Sequence, residues 1–319
     1  MGDRLALPRW TRGAALATLL LLPACARGQG TGASLAPIRA DTALLRHTLD
    51  SLADAHHGVV GYSIIDLDTG DTLSRRGDET FPTASLIKVP ILVTLYDLVA
   101  KHQVSLDDPL TLLDIDKVPG SGSLQFMHDG ATITVHDAAW LMATQSDNTA
   151  TNLLLDRIII RRVWAKMESL GLMHTKVHSK TFLRISSVAM DSSAKYGLGV
   201  STPNEMAHLF VLLARGQAVN PAADSAMLDI LEHNEDNTLL QRELDRVRAA
   251  HKTGAVDDAR TECSLFYLRS RVVACVFTKE NKDQRWILDS EPQVTMAHMG
   301  ATIARAFGLP DSASVASGP

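Results

Sequence analysis

The chain has 319 residues, 45% of them hydrophobic, enough for one large domain or two small ones around a proper core. Its formal charge is −5, only 5% of its residues are aromatic and it carries no basic run, which argues against nucleic acid as a partner. A soluble enzyme acting on a small molecule or a peptide fits this composition.

Arg4, Arg9 and Arg12 precede an apolar run from Ala14 to Leu22, and Pro23-Ala24-Cys25-Ala26 follows. This is the layout of an export signal spanning residues 1–24, and the run is too short to cross a bilayer as a helix. Leu22-Pro-Ala-Cys25 also resembles a bacterial lipobox, so a lipid anchor at Cys25 and plain secretion both fit. Either one exports the protein, to the periplasm or to the bacterial envelope. Residues 25–40, rich in Gly, Ala and Ser, read as a tether. From Asp41 the spacing of Leu44, Leu45, Leu49 and Leu52 predicts a helix ending near Gly58. Val59–Asp66 and Asp71–Ser74 are strand-like, joined by the turn sequence Leu67-Asp-Thr-Gly70.

Phe81-Pro-Thr-Ala-Ser85-Leu-Ile-Lys88 then leads into the apolar helical stretch Val89–Ala100. Ser85 is therefore expected at a helix N-terminus, where free N–H groups and the dipole favour negative charge, with the Lys88 amine on the same face. Taken alone, Ser-x-x-Lys fits a helix cap beside a solvated lysine just as well. Thr134 with Asp137 reads as a capping box opening a helix. Ser146-Asp-Asn148-Thr-Ala-Thr-Asn152 interrupts the apolar pattern, which resumes at Leu153–Ile160. Such a polar break is also what an ordinary helix junction looks like. Residues 174–200 lack apolar periodicity and read as a long loop. Thr202-Pro203-Asn-Glu205 opens another helix, and helical stretches follow at Met227–Leu231 and Leu239–Val247. Strands return from about His251 to Phe277, and a last helix spans Val294–Phe307 before a Ser/Ala-rich tail.

Cys263 and Cys275 flank a predicted hairpin and could lie opposite each other. Cross-strand geometry often suits a disulfide poorly, so buried thiols are expected. Neither cysteine belongs to a metal-ligand cluster, so no metal is expected. The element order predicts an α/β chain of the α+β type, in which an antiparallel sheet built from both chain ends is covered by the terminal helices and adjoined by an all-helical lobe. The sheet lobe is expected at about 41–80 and 248–308, the helical lobe at about 81–247, and a disordered tail at 309–319.

His251-Lys252-Thr253-Gly254-Ala255 opens the first returning strand and completes an ordered triple: S-x-x-K at Ser85, S-D-N at Ser146 and K-T-G at Lys252. Over residues 41–308 the sequence resembles the class A β-lactamases, at Phe81–Lys88, Ser146–Asn152, Thr202–Met206 and Lys252–Gly254. The resemblance implies acyl transfer to Ser85, with Lys88 as proton acceptor and Ser146 as relay to the leaving nitrogen. It implies an oxyanion hole made by the N–H groups of Ser85 and Ala255. Asn148 would bind the substrate's side-chain amide, Lys252 and Thr253 beside Gly254 its carboxylate, and Arg260 is an additional candidate for that carboxylate, a surface arginine being the alternative. No cofactor is implied; the substrate would be a β-lactam or a peptidoglycan-like molecule, and the protein a monomer. One family part is missing. The loop Glu-x-x-Leu-Asn, whose glutamate activates the deacylating water, falls near Thr181-Phe182, where Ser179-Lys-Thr-Phe-Leu has no carboxylate. This departure favours, as an alternative, a penicillin-binding D-Ala-D-Ala peptidase or esterase that releases its acyl group slowly. A non-catalytic sensor domain is the reading from another class.

Overall fold

The computed structural model describes residues 39–308. The expected export signal, the Cys25 anchor, the tether up to residue 38 and the tail from 309 lie outside the described residues.

α1 (Thr42–Ala55) starts on Asp41, whose carboxylate accepts from the Ala43 and Leu44 N–H groups. β1 (Val59–Asp66) and β2 (Thr72–Arg75) form a hairpin. Strand β3 (Phe81–Pro82) leads through a 3₁₀ turn, Ala84–Ile87, into α2 (Lys88–Ala100). Strands β4 (Pro109–Thr111) and β5 (Thr132–Thr134) pair with each other, and helices α3 (Val135–Thr144), α4 (Asn148–Ile158) and α5 (Ile160–Ser169) follow. Next come β6 (Lys176–Val177), α6 (Met190–Tyr196), β7 (Gly199–Ser201), α7 (Pro203–Ala214) and α8 (Pro221–Glu232). The chain closes with β8 (Ala249–Val256), β9 (Ala259–Tyr267), β10 (Arg271–Lys279) and α9 (Glu291–Ala306).

The main sheet is antiparallel in the order β2-β1-β10-β9-β8, so the first long strand lies against the last. Its two faces carry two cores. Val60, Tyr62, Ile64, Phe266, Val272 and Val276 pack with Leu45 and Leu49 of α1 and Met296, Met299 and Ile303 of α9. Cys263, Leu265, Val273, Cys275 and Phe277 point the other way, into a core shared with the helical lobe. At the centre of that lobe every residue of α2 from Lys88 to Leu98 is buried. A helix apolar on all sides is stable only when neighbours surround it, and this one carries the serine and lysine at its start.

Several expectations hold. Thr134 and Asp137 cap α3 reciprocally, Thr202 caps α7 with Pro203 in its first turn, and the predicted strands are present. Others do not. Residues 239–247 contain no helix, Ile159 at φ +66° separates two helices where one was expected to end, and the loop 174–200 contains α6 and short strands. The buried-thiol expectation is also overturned. Cys263 and Cys275 occupy directly opposed positions on β9 and β10, with Cα atoms 4.0 Å apart, and are joined as a disulfide. This register pair puts both Cβ atoms on the same face of the sheet, and the bridge runs directly across it. The bridge closes a loop between residues 12 apart in sequence, and removing it is expected to cost roughly 2–4 kcal/mol. Denaturant unfolding of a Cys263→Ser, Cys275→Ser double variant tests this; equal stability of the two proteins would contradict it.

Candidate active site

Ser85 sits in the 3₁₀ turn that feeds α2, one residue after Ala84 in the left-handed region at φ +45°. The turn is tightened ahead of the helix, so Ser85 precedes the first regular turn rather than belonging to it, and Lys88 is the first α-helical residue. The lysine is 1% exposed. Its Nζ lies 2.6 Å from the Ser146 carbonyl oxygen, 2.9 Å from Asn148 Oδ1 and 3.1 Å from Ser146 Oγ. Burial, with the Lys252 ammonium adding to it and Asp147 opposing, pushes the Lys88 amine well below the ordinary lysine range.

The second motif is a helix start. Asp147 caps α4 by accepting from the Ala150 N–H at 2.8 Å and, through its other oxygen, from the Leu124 N–H at 2.8 Å. This cap breaks the helical path between α3 and α4, and the break holds Ser146 at φ +56° with its side chain and carbonyl toward Lys88. Asn148 donates its Nδ2 to the Pro119 carbonyl while its Oδ1 faces the lysine. The polar residues in this apolar stretch are thus used both as a cap and as a lining.

β8 forms the opposite wall. A Cβ on Gly254 would lie 2.3 Å from the Thr83 carbonyl oxygen and 2.8 Å from the Leu86 N–H nitrogen, so the strand backbone rests directly on the serine turn. Thr261 on β9 reinforces this contact by donating to the Thr83 carbonyl at 2.9 Å. Gly254→Ala is expected to force the two backbones apart, costing about 1–3 kcal/mol of stability and slowing any reaction at Ser85. Paired measurements of chemical denaturation and of Ser85 labelling check it; a variant matching the parent in both would refute the close-approach argument.

Lys252 is buried and donates to the Thr253 carbonyl at 3.0 Å. Burial lowers its ammonium to about 8, against the opposing charges of Asp236 and Glu262. Ser85, Ser146, Asn148, Thr253, Gly254 and Ala255 line one cleft of about 660 Å³. Arg260 departs from expectation. It is 2% exposed, so it is not a surface residue, and its guanidinium donates to the carbonyls of Val256, Ala259 and Arg285 and stacks on Trp286. Its terminal nitrogens bind the β8–β9 turn and Arg285, and it does not line the cleft that holds Ser85.

The loop that should carry an acid is gripped from below. Asn152 Nδ2 donates to the Thr181 carbonyl at 3.0 Å, and the Thr181 N–H donates to Asn152 Oδ1 at 2.8 Å. Thr181 Oγ1 is buried without a partner, and Phe182, at φ +58°, reaches across toward Gly120. Glu168 pairs with Lys176 and Asp191 opens α6; neither lines the cleft. Among the described residues the only carboxylate lining it is Asp236, on the opposite wall, where it accepts from the Thr253 hydroxyl at 2.7 Å. Sequence reasoning missed Asp236. It lies in an aperiodic polar segment, Asn234-Glu-Asp-Asn-Thr238, whose only signal is a clustering of turn residues after α8. Trp286, exposed at the rim, was missed for the same reason.

A family model described as the beta-lactamase enzyme family matches residues 44–307. The curated protein Beta-lactamase L2 of Stenotrophomonas maltophilia is 34% identical over 143 residues, 44% of this chain and 46% of that protein, so the match spans just under half of that relative. A β-lactamase crystal structure from Sphaerobacter thermophilus superposes with a TM-score of 0.74 at 26% identity, covering 86% of this chain and 99% of that one. PBP-A, solved as a leucine-to-glutamate mutant in an acyl-enzyme complex with penicillin G, gives 0.73 at 26% identity, over 86% and 99% of the two chains.

Proposed function

We propose, from the premise that the chain belongs to the beta-lactamase enzyme family, that it is a class A-like serine hydrolase that opens β-lactam amides through an acyl-Ser85 intermediate. The observation that carries this reading is the environment of Lys88. Its amine is buried among three oxygens, the Ser146 carbonyl, Asn148 Oδ1 and Ser146 Oγ, and burial there favours the uncharged form. A buried, depressed lysine of this kind can take the Ser85 proton as Oγ attacks the lactam carbonyl. The N–H groups of Ser85 and Ala255 would hold the oxyanion. Ser146, 3.1 Å from Lys88 Nζ, would pass the proton on to the departing nitrogen as the C–N bond breaks. Asn148 would orient the substrate's amide side chain, and Lys252 with Thr253 would face its carboxylate.

Release of the acyl group needs water to lose a proton. Because the loop 174–200 brings no carboxylate to the cleft, slow release is the second reading, in which the protein acts as a penicillin-binding peptidase or esterase with a long-lived acyl-enzyme. The similar PBP-A structure, an acyl-enzyme with penicillin G, favours acylation under either reading. A time course of intact mass with a penicillin, followed by peptide mapping, tests both: a transient adduct on Ser85 supports hydrolysis and a stoichiometric lasting one supports slow release. Absence of any adduct overturns the proposal. The basic and apolar residues of the first 24 positions support export of the protein, with its action in the periplasm or on the envelope.

The pH profile of acylation follows from the two lysines. Lys88 must be neutral, so the rate rises with pH as its lowered ammonium loses a proton. Lys252 must be charged to hold an anionic group, so the rate falls again above about 8. A bell with an alkaline limb near that value is expected for carboxylate-bearing penicillins; a rate that climbs without turning up to the ordinary lysine range near pH 10 contradicts the role of Lys252.

A further inference from the structure

The Thr253 hydroxyl has one proton to give, and it gives it to Asp236 Oδ2 at 2.7 Å. The same hydroxyl is the one proposed above to face a substrate carboxylate. Asp236 is not free to swing away. Its other oxygen accepts from the Thr238 N–H at 3.1 Å and from the Thr238 hydroxyl at 2.7 Å, and its own N–H donates to Asn234, which is tied to the Ala143 carbonyl at 2.9 Å. Burial works against charge on Asp236, but the hydrogen bonds from Thr238 and Thr253 and the Lys252 ammonium outweigh it and hold the carboxyl below its ordinary range. Lys252 is in turn already opposed by two carboxylates, Asp236 and Glu262. A substrate carboxylate arriving at Thr253 therefore meets the negative charge of Asp236 and a lysine that already faces two carboxylates.

The space beyond points the same way. A second cavity of about 520 Å³ shares Asp236, Ala255 and Trp286 with the cleft and is walled by Leu239, Ile287 and Leu288. Arg260, the cation on its wall, donates through its two terminal nitrogens to the carbonyls of Val256, Ala259 and Arg285 and is stacked on Trp286. An uncharged group extending past Thr253 finds apolar surface there.

We infer that Asp236 is a specificity-determining residue that fills the anion seat of the cleft, so that Ser85 is acylated preferentially by substrates carrying an uncharged ester or amide where a penicillin carries its carboxylate. This deepens the acyl-Ser85 reading and rests on it. The natural acyl donor is then a molecule whose chain continues past that position, and a free terminal carboxylate there is discriminated against.

The test is the second-order rate of Ser85 acylation, read by intact mass, with benzylpenicillin and with its methyl ester. In the parent protein the ester is expected to react at least as fast as the acid. In Asp236→Asn, which keeps the size of the side chain, removes its charge and lets an amide N–H donate to the Thr253 hydroxyl in place of the carboxylate that accepts from it, the acid-to-ester ratio is expected to rise about tenfold, the equivalent of about 1.4 kcal/mol. A parent that prefers the acid by more than about tenfold, or an Asp236→Asn ratio equal to the parent's, overturns the inference while leaving the hydrolase reading intact. Acylation by neither compound overturns that reading and the inference with it. The comparison within the parent needs no variant to fold.

Discussion

Replacing Ser85 by alanine is expected to abolish covalent labelling by a penicillin. The hydroxyl proposed to attack sits on a turn that β8 presses against and that leads into the buried helix α2. Lys88→Met, which keeps an unbranched side chain one atom shorter and removes its nitrogen, is expected to slow acylation by about 10²–10⁴-fold, the usual contribution of a positioned base. Both are read from the mass of the intact protein against time. Retention of the full penicillin adduct by Ser85→Ala would place the nucleophile elsewhere and end the assignment. A Lys88→Met protein that acylates at the parent rate would reassign the base. The lysine variant also removes a buried amine that three polar atoms surround, so thermal unfolding should accompany the kinetics to separate lost chemistry from lost structure.

Thr181→Glu is expected to act on the other half of the reaction, speeding release of the acyl group by about a hundredfold or more. The argument is positional. Asn152 grips the Thr181 backbone through both its N–H and its carbonyl, so a side chain at 181 is held on the cleft wall, where the threonine hydroxyl now lies buried and unpartnered. A carboxylate placed there can take a proton from water beside the acyl-serine, and no carboxylate of residues 174–200 lines the cleft at present. Measured by the decay of the adduct mass after excess penicillin is removed, an unchanged lifetime in a folded variant refutes this placement.

The candidate site residues stand out in the sequence because the chemistry proposed for them dictates local structure. A nucleophile at a helix start, a polar cap inside an apolar segment and a glycine in a strand each disturb a periodic pattern in a recognisable way. Asn152 was legible for the same reason, and its grip on Thr181 shows how a loop without the usual acid is still held in place. Asp236 and the burial of Arg260 were not legible. Both depend on how the β8–β9 hairpin and the segment after α8 meet in space, and neither imposes a period on its neighbours. The disulfide was misjudged because the decision between thiols and a bridge lies in the register of β9 against β10, which sequence spacing brackets but does not set. The helix expected at 239–247 is replaced by turns, Arg242 and Leu244 donating to the carbonyls three residues before them, while Glu262 accepts the Leu240 N–H at 2.7 Å. Tertiary contacts of this kind override a modest helical pattern.

The sheet order also governs how the protein must assemble. β1 belongs to the first part of the domain, yet one of its two neighbours is β10, and the pairing runs from Val59 with Lys279 to Asp66 with Val272. A growing chain therefore carries β1 with an open edge until nearly the whole domain has been made. The helical lobe, whose contacts are closer in sequence, can gather first. The wall of the cleft arrives last, since β8 reaches the serine turn only with the final strands. A truncated chain ending before β8 would keep Ser85, Lys88 and Ser146 and still have no surface on which to hold an acyl donor. The ends of the domain are neighbours through α1 and α9, both seated on the same face of the sheet. Joining residue 308 to residue 39 by a short linker and reopening the chain at an exposed loop should accordingly preserve the fold, while reversing which lobe is completed first.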